Sequence, residues 1–330
     1  MLTYTCPRCG QSMTWAAGMS EASCSGCGQT CPVPTVAPGA QVALPEPGPS
    51  CGLPNTPHCQ GPRKKSSGGR ALQREMRTIA ALQHRLMPGQ VPPMEGWGVA
   101  ISYQVNGSPG GDYYDFFRLA DGRRLALIVA DASGHGGAAA VMVAQVRAFL
   151  HSCPLTCGHA MSPFCPVEGC TIPPPGMILG HLSHLLEENS LSEQFMTAYY
   201  GVLTTATGIL HYSNAGHPRP RWWRSALGTI EPVPNCTGPP LGLGLSEAYP
   251  EGSISLGPGD VIALYSDGLV DAHRRRDGPF GVHRLDVAIR EGAADGAEAV
   301  RRKVMGSLEQ YLAGEECDDD VTLVVLARQR

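Results

Sequence analysis

Four short acidic segments stand at the ends of apolar runs. They are Gly110-Gly111-Asp112-Tyr113-Tyr114-Asp115, Asp131-Ala132-Ser133-Gly134-His135-Gly136, Tyr265-Ser266-Asp267-Gly268 and Asp318-Asp319-Asp320-Val321-Thr322. Carboxylate oxygens gathered from strand ends far apart in sequence build the kind of site that hard divalent cations such as Mg²⁺ and Mn²⁺ require. Taken singly, each Asp reads as a turn or cap residue. Taken as an ordered set, each beside its own apolar run, they read as one cluster. Such a cluster repels itself without a cation. Two adjacent divalent ions would neutralise it and activate a water for in-line attack on phosphorus. Gly110 and Gly111 allow the backbone to approach an ion or a water closely. The small-residue turn after Asp131 can offer the Ala132 carbonyl as well as the carboxylate.

A second chemistry lies near the start. Cys6-x2-Cys9 and Cys24-x2-Cys27 are two pairs, each followed by a glycine, Gly10 and Gly28. Four thiolates at this spacing suit one tetrahedral Zn²⁺. A segment this short cannot build a core, so the metal would supply most of its folding free energy. The segment resembles a zinc ribbon; the competing reading is four unrelated cysteines. Cys153, Cys157, Cys165 and Cys170 follow later without a C-x-x-C pair. They fit either a second zinc site or a surface insertion with reduced thiols. The 13 cysteines are odd in number and follow no basic-then-apolar leader. That pattern favours reduced thiols in a cytoplasmic protein over a disulfide framework.

The elements that must position these groups come next. The 330 residues allow one large domain and a small one. The net charge of −4 points to no nucleic-acid or anionic-membrane partner, and no apolar run is long enough to span a bilayer. Residues 1–31 form the ribbon-like module. Residues 32–69 are a Pro/Gly-rich linker ending in a basic run at Arg63-Lys64-Lys65. Residues 70–88 are a connector helix, with Leu72, Met76, Ile79, Leu82 and Leu86 on one stripe. It either packs on the core or joins two copies as a homodimer. Residues 89–330 form the main domain, with a Cys-rich insertion at 151–176. Strands are expected at 99–103, 125–130, 198–203, 210–213, 261–265 and 322–326, and helices at 137–150, 177–188 and 296–312. Asp121-Gly122 and Thr207-Gly208 read as hairpin turns. Strands, a helical block and further strands predict a layered α+β domain.

The ordered motifs carry a specific resemblance. Gly110 to Phe117, Asp131 to Gly136, Asn214-Ala215-Gly216-His217-Pro218, Gly259 to Gly268 and Asp319 to Val325 together resemble the bacterial PPM-type serine/threonine phosphatases of the sporulation and sigma-factor stress-response branch. The resemblance covers residues 70 to 328. It implies a four-layer α-β-β-α sandwich with two central antiparallel sheets and a site for two Mn²⁺ or Mg²⁺ ions. It implies that Asp131 bridges both ions, that Asp112 and the Ala132 carbonyl complete one, and that Asp267 and Asp319 serve the other. Asp319 is chosen over Asp318 and Asp320 as the first of the family's D-D-x-T pair. Gly111 and Gly134 set shape. Asn214 and His217 belong to a family loop whose role the residues alone do not give, and a structural turn is the plain alternative. His135 reads as a turn residue rather than a general acid. The implied reaction is attack by metal-activated water on phosphoserine or phosphothreonine, with no covalent phosphoenzyme; no C-x5-R thiol loop is present. The implied partner is a phosphorylated regulatory protein of the anti-anti-sigma type. Two other readings stay open: a non-catalytic scaffold acting through the ribbon, and a di-metal hydrolase of small phosphoesters.

Overall fold

The structure is a computed structural model. It describes residues 67–330 apart from 90, 107–108, 120–121, 153–172, 191–192, 246–247 and 275–277, and ahead of them four short strands. The chain divides into two compact units, Met1–Arg63 and Lys64–Arg330. In the first unit β1 (Leu2–Thr5) pairs antiparallel with β2 (Ser12–Trp15), and β3 (Glu21–Ser23) with β4 (Thr30–Pro32). The expected zinc ligands Cys6, Cys9, Cys24 and Cys27 lie outside the described residues, as do the four cysteines of the insertion.

The second unit is a mixed α+β domain with two sheets. Its elements in order are α1 (Ser67–Leu86), β5 (Trp97–Gln104), β6 (Asp112–Arg118), β7 (Arg124–Ala132), α2 (Gly137–Ser152), α3 (Pro175–Asn189), β8 (Met196–Thr204) and β9 (Ile209–Ala215). There follow β10 (Arg221–Arg224), β11 (Thr229–Pro232), β12 (Thr237–Gly238), β13 (Glu251–Ser255), β14 (Val261–Tyr265), α4 (Asp267–Asp271), α5 (Gly281–Gly292), α6 (Ala297–Leu312) and β15 (Val321–Arg328). One sheet has the order β11-β10-β14-β15-β5; the other has β12-β9-β8-β7-β6, with β13 also on β9. Pairing is antiparallel except for the two-residue β12 beside β9.

The pleat explains the layering. Side chains alternate between the faces of a strand. In β14 and β15, Ile262, Leu264, Val324 and Leu326 join the core shared with the other sheet. Their neighbours Val261, Ala263, Leu323 and Val325 join a separate core with Leu285, Ile289, Val300 and Val304 of α5 and α6. Helices α2 and α3 pack on the second sheet through Met142, Val146, Ile178 and Leu182. Two buried faces make β14 and β15 unbroken apolar runs, which is why both are legible in the sequence.

Other elements are less legible. Strand β6 is Asp-Tyr-Tyr-Asp-Phe-Phe-Arg, whose polar and aromatic residues are buried in succession and show no alternation. Strands β10, β11 and β13 have five residues or fewer. Helix α5 starts after Phe280 with no side-chain cap, so no start signal marks it. The two hairpin signals stand at real turns: Gly122 (φ 64°) lies between β6 and β7, and Gly208 (φ 78°) between β8 and β9. In α1 the stripe is rotated from the expected one. Gln83 is buried, as is Met87 just past the helix, whereas Leu72 and Leu82 are 55% and 57% exposed. Among the described residues no helix is long and apolar enough to cross a membrane.

Candidate metal centre

The register of β6 on β7 places Asp112 directly opposite Asp131. Two carboxylates therefore meet across one rung, each close to the end of its strand. The other sheet reaches this rung through side chains. Asp112 is 1% exposed. Its Oδ2 accepts hydrogen bonds from the hydroxyls of Ser266, at 2.7 Å, and Thr322, at 2.6 Å. Ser266 immediately precedes Asp267, the first residue of α4. Ser266 Oγ also accepts the Thr322 backbone N–H at 3.0 Å. The ends of β6, β7, β14 and β15 are thereby tied together, and with them the four acidic segments.

The triple Asp divides its work. Asp320 is buried and spends both oxygens on backbone N–H groups, Oδ1 on Asn106 and Oδ2 on Gly111, each at 2.9 Å. A Cβ on Gly110 would lie 1.9 Å from Asp320 Oδ2, so this carboxylate requires glycine there. A Cβ on Gly268 would lie 2.1 Å from the Asp320 carbonyl oxygen. Asp318 and Asp319 are exposed, and Asp319 Oδ1 accepts the Asp320 N–H at 2.8 Å.

The donor set suits a hard cation. A Cβ on Gly111 would lie 2.5 Å from the Ala132 carbonyl oxygen and 2.6 Å from Asp131 Oδ1. Those two oxygens thus converge on one small space that only a glycine leaves free. Electrostatics agree. Burial, then the charges of Asp267, Asp319 and Asp320, push the Asp131 carboxyl up to about 7. Burial, then Asp131, raise Asp112 well above the usual range against the pull of its two hydroxyl donors. Burial, then Asp319 and Asp271, raise Asp267. Carboxylates held this close favour a bound cation. Among the described residues no three His, Cys, Asp or Glu side chains close into a ready-made cage. A Mg²⁺-type ion, which keeps several waters and takes few protein ligands, does not need one.

The remaining motif residues lie elsewhere. Asp115 faces away from Asp112 and accepts bonds from Tyr113 Oη, Arg147 and the Phe116 N–H, with His151 Nε2 at 2.6 Å. Gly134 (φ 79°) and Gly136 (φ 87°) turn the chain into α2, and His135 is exposed on that turn. Asn214 forms a closed turn: its Oδ1 accepts the His217 N–H at 2.8 Å and its Nδ2 donates to the His217 carbonyl at 2.9 Å. His217 is buried, and desolvation lowers its imidazole to about 3, so it is neutral. Sequence reasoning missed Ser266, Thr322 and Asp320 as supports of the site. Each stands in an acidic segment, but the group it supports lies more than 150 residues away in sequence.

The family described as Stage II sporulation protein E (SpoIIE) matches residues 121–329. The chain belongs to that family. Asp131, Asp267 and Asp319 fall inside the matched SpoIIE segment, and Asp112 just ahead of it. Among curated relatives, phosphoserine phosphatase RsbU of Bacillus subtilis is 26% identical over 259 residues, which is 78% of this chain and 71% of RsbU. Protein IcfG of Synechocystis is 24% identical over 269 residues, 75% of this chain and 40% of IcfG. The chain thus spans less than half of that relative. Among solved structures, the RsbU and RsbW domains of Rv1364c from Mycobacterium tuberculosis match with a TM-score of 0.59 and 27% identity, covering 74% of this chain and 63% of that one. The SiaA-PP2C domain of Pseudomonas aeruginosa shares the fold, with a TM-score of 0.63 and 19% identity over 80% of this chain and 98% of that one. The second unit thus carries the SpoIIE-family segment on a fold shared with the SiaA-PP2C domain.

Proposed function

We propose that this SpoIIE-family chain removes phosphate from phosphoserine or phosphothreonine on a regulatory protein, with two Mn²⁺ or Mg²⁺ ions held between Asp112, Asp131, the Ala132 carbonyl, Asp267 and Asp319. Asp131 would hold both ions, Asp112 and the Ala132 carbonyl one of them, and Asp267 and Asp319 the other. When bound, the ions supply charge neutralisation and an activated water. The chain's own part is placement: Ser266 and Thr322 fix Asp112, while Asp320 fixes the Gly110-Gly111 backbone beside Asp131. The observation that carries this reading is the Asp112–Asp131 rung with the Ala132 carbonyl turned onto the same space. The phosphoserine phosphatase RsbU, as a relative, supports phosphoserine as the substrate residue, and the resemblance supports an anti-anti-sigma-type protein as its carrier.

The test is Mn²⁺-dependent hydrolysis of a phosphoserine protein, with a nucleotide and 4-nitrophenyl phosphate alongside. Asp131→Asn should abolish turnover on every substrate and leave the chain folded. Turnover by that variant equal to the parent's would sink the mechanism. Faster turnover of the nucleotide than of the phosphoprotein would instead favour a small-phosphoester hydrolase.

The Cys6, Cys9, Cys24 and Cys27 quartet is part of the same reading, as a structural Zn²⁺ site. Its support is the paired C-x-x-C spacing. Metal analysis of the purified chain should find about one Zn²⁺ per chain, lost when Cys6 and Cys9 become Ser. An unchanged zinc content would count against it.

A further inference from the structure

One motif stands outside the chemistry above: Asn214-Ala215-Gly216-His217-Pro218, at the end of β9. The turn is built to fix one side chain. Asn214 clamps both backbone polar groups of His217. Gly216 supplies a left-handed φ of 72°, and a Cβ there would meet the Pro240 ring at 3.0 Å. What the turn delivers is an imidazole 3% exposed in the protein interior.

The two sides of that ring belong to different sheets. Nδ1 is 2.9 Å from Thr197 Oγ1. Thr197 lies in β8, directly opposite Asp131 in β7. The ring's other polar neighbour is the backbone of Tyr265, the last residue of β14. After Tyr265 come Ser266, which holds Asp112, and then Asp267. Nε2 is buried and does not close a hydrogen bond of ordinary geometry. A buried polar nitrogen is costly unless a partner faces it.

We propose that His217 is a positioning residue: its imidazole is a strut between the two sheets, setting the distance between the strand end that carries Asp131 and the one that leads to Asp267. A neutral imidazole has one N–H and one lone pair. One arrangement uses both. With the Thr197 hydroxyl donating to Nδ1, the Nε2–H is left for the Tyr265 backbone. Packing alone would be met by an apolar side chain of similar size. A neutral, orphan-prone ring held by a dedicated turn is the more expensive choice, and its partner Thr197 stands on the same rung as the carboxylates whose spacing metal binding requires, one strand over. Loss of partners of this kind, which hold ligands without touching the metal, typically costs about 10–100-fold in metal affinity or activity.

The proposal rests on the divalent-metal reading of the site, and the experiment separates the two. Thr197→Val removes the hydroxyl at constant shape, His217→Leu removes both ring nitrogens, and His217→Gln keeps a donor and an acceptor. For each full-length variant, the rise in melting temperature is followed against Mn²⁺ alone. The Mn²⁺ concentration giving half-maximal hydrolysis of 4-nitrophenyl phosphate is measured alongside. Thr197→Val and His217→Leu should raise the half-saturating Mn²⁺ concentration by about tenfold or more, with turnover at saturating Mn²⁺ within roughly threefold of the parent. His217→Gln should recover most of the affinity. A lowered melting temperature with unchanged Mn²⁺ dependence would make the ring mere packing and overturn the strut. If His217→Leu does not fold, Thr197→Val and His217→Gln decide. A parent chain that binds Mn²⁺ without hydrolysing anything defeats the phosphatase reading alone, because the melting shifts still test the strut. A parent with no Mn²⁺ response defeats both.

Discussion

At the scale of single residues, Asp131 is the group whose ionisation should be felt most. Its carboxyl titrates near 7 in the metal-free fold, against 3.8 ordinarily. A raised value means that folding favours the protonated form. The associated stability is full below pH 4 and is lost as pH rises through about 7. Above that, the metal-free protein carries the repulsion of Asp131 with Asp267 and Asp319. Asp131→Asn should therefore be more stable than the parent at pH 8 in chelator, by about 1–3 kcal/mol after allowing for partial exposure. The gap should close as pH falls toward 4, and saturating Mn²⁺ should reverse its sign. Melting curves across pH, with and without metal, check all three. Ser266 offers a second test. Its hydroxyl donates to Asp112 and accepts from Thr322 N–H, so Ser266→Ala strips a partner from two buried groups. Denaturant unfolding should show a loss of about 1–3 kcal/mol.

At the scale of elements, α2 is held at both ends. Its start follows the Asp131-to-Gly136 turn. Its C-terminal half is held by Arg147 and, in the last turn, His151, which both meet Asp115 of β6. Asp115 is 1% exposed. Asp115→Ala would leave Tyr113 and Arg147 facing an emptied site. Chemical denaturation should register about 3–5 kcal/mol of destabilisation, with faster hydrogen exchange in the last turn of α2. Elements were legible in the sequence where two-sided burial wrote an apolar run, as in β7, β14 and β15, or where helical periodicity was long, as in α2, α3 and α6. They were hidden where polar residues are buried by virtue of tertiary partners. Strand β6 is the clearest instance, since nothing local foretells that Asp112 is satisfied by hydroxyls of two distant strands. The candidate site divides the same way. Its acidic residues and glycines could be read from order and spacing, but the role of Asp320 as a backbone clamp could not, because it depends on Asn106 and Gly111 being brought to it by the fold. The rotation of the α1 stripe has a similar origin: Gln83 is drawn inward by a bond to the Gly110 carbonyl, which periodicity alone does not register.

At the scale of the whole molecule, the division at Arg63 has a direct consequence. Every residue of the candidate metal centre belongs to the second unit. A chain comprising residues 64–330 should fold alone and keep Mn²⁺-dependent hydrolysis of 4-nitrophenyl phosphate within about threefold of the full chain, as expected of a unit with its own core. Loss of folding would show that the first 63 residues are structurally required. A retained fold with much altered turnover would assign them a regulatory task.

Strand β15 sits between β14 and β5, and residues beside or within it supply Asp319, Asp320 and Thr322. Its neighbour β5 is made far earlier. While the chain is being synthesised, β5 and β14 have no partner between them, and Asp112 lacks one of its two hydroxyls. At about 5–20 residues per second β5 waits roughly 10–40 seconds for β15, and β14, made later, roughly 3–11 seconds. The candidate metal centre is therefore incomplete in every nascent intermediate, and the β5 edge stands open to chaperones throughout that time, joined by the β14 edge only near its end.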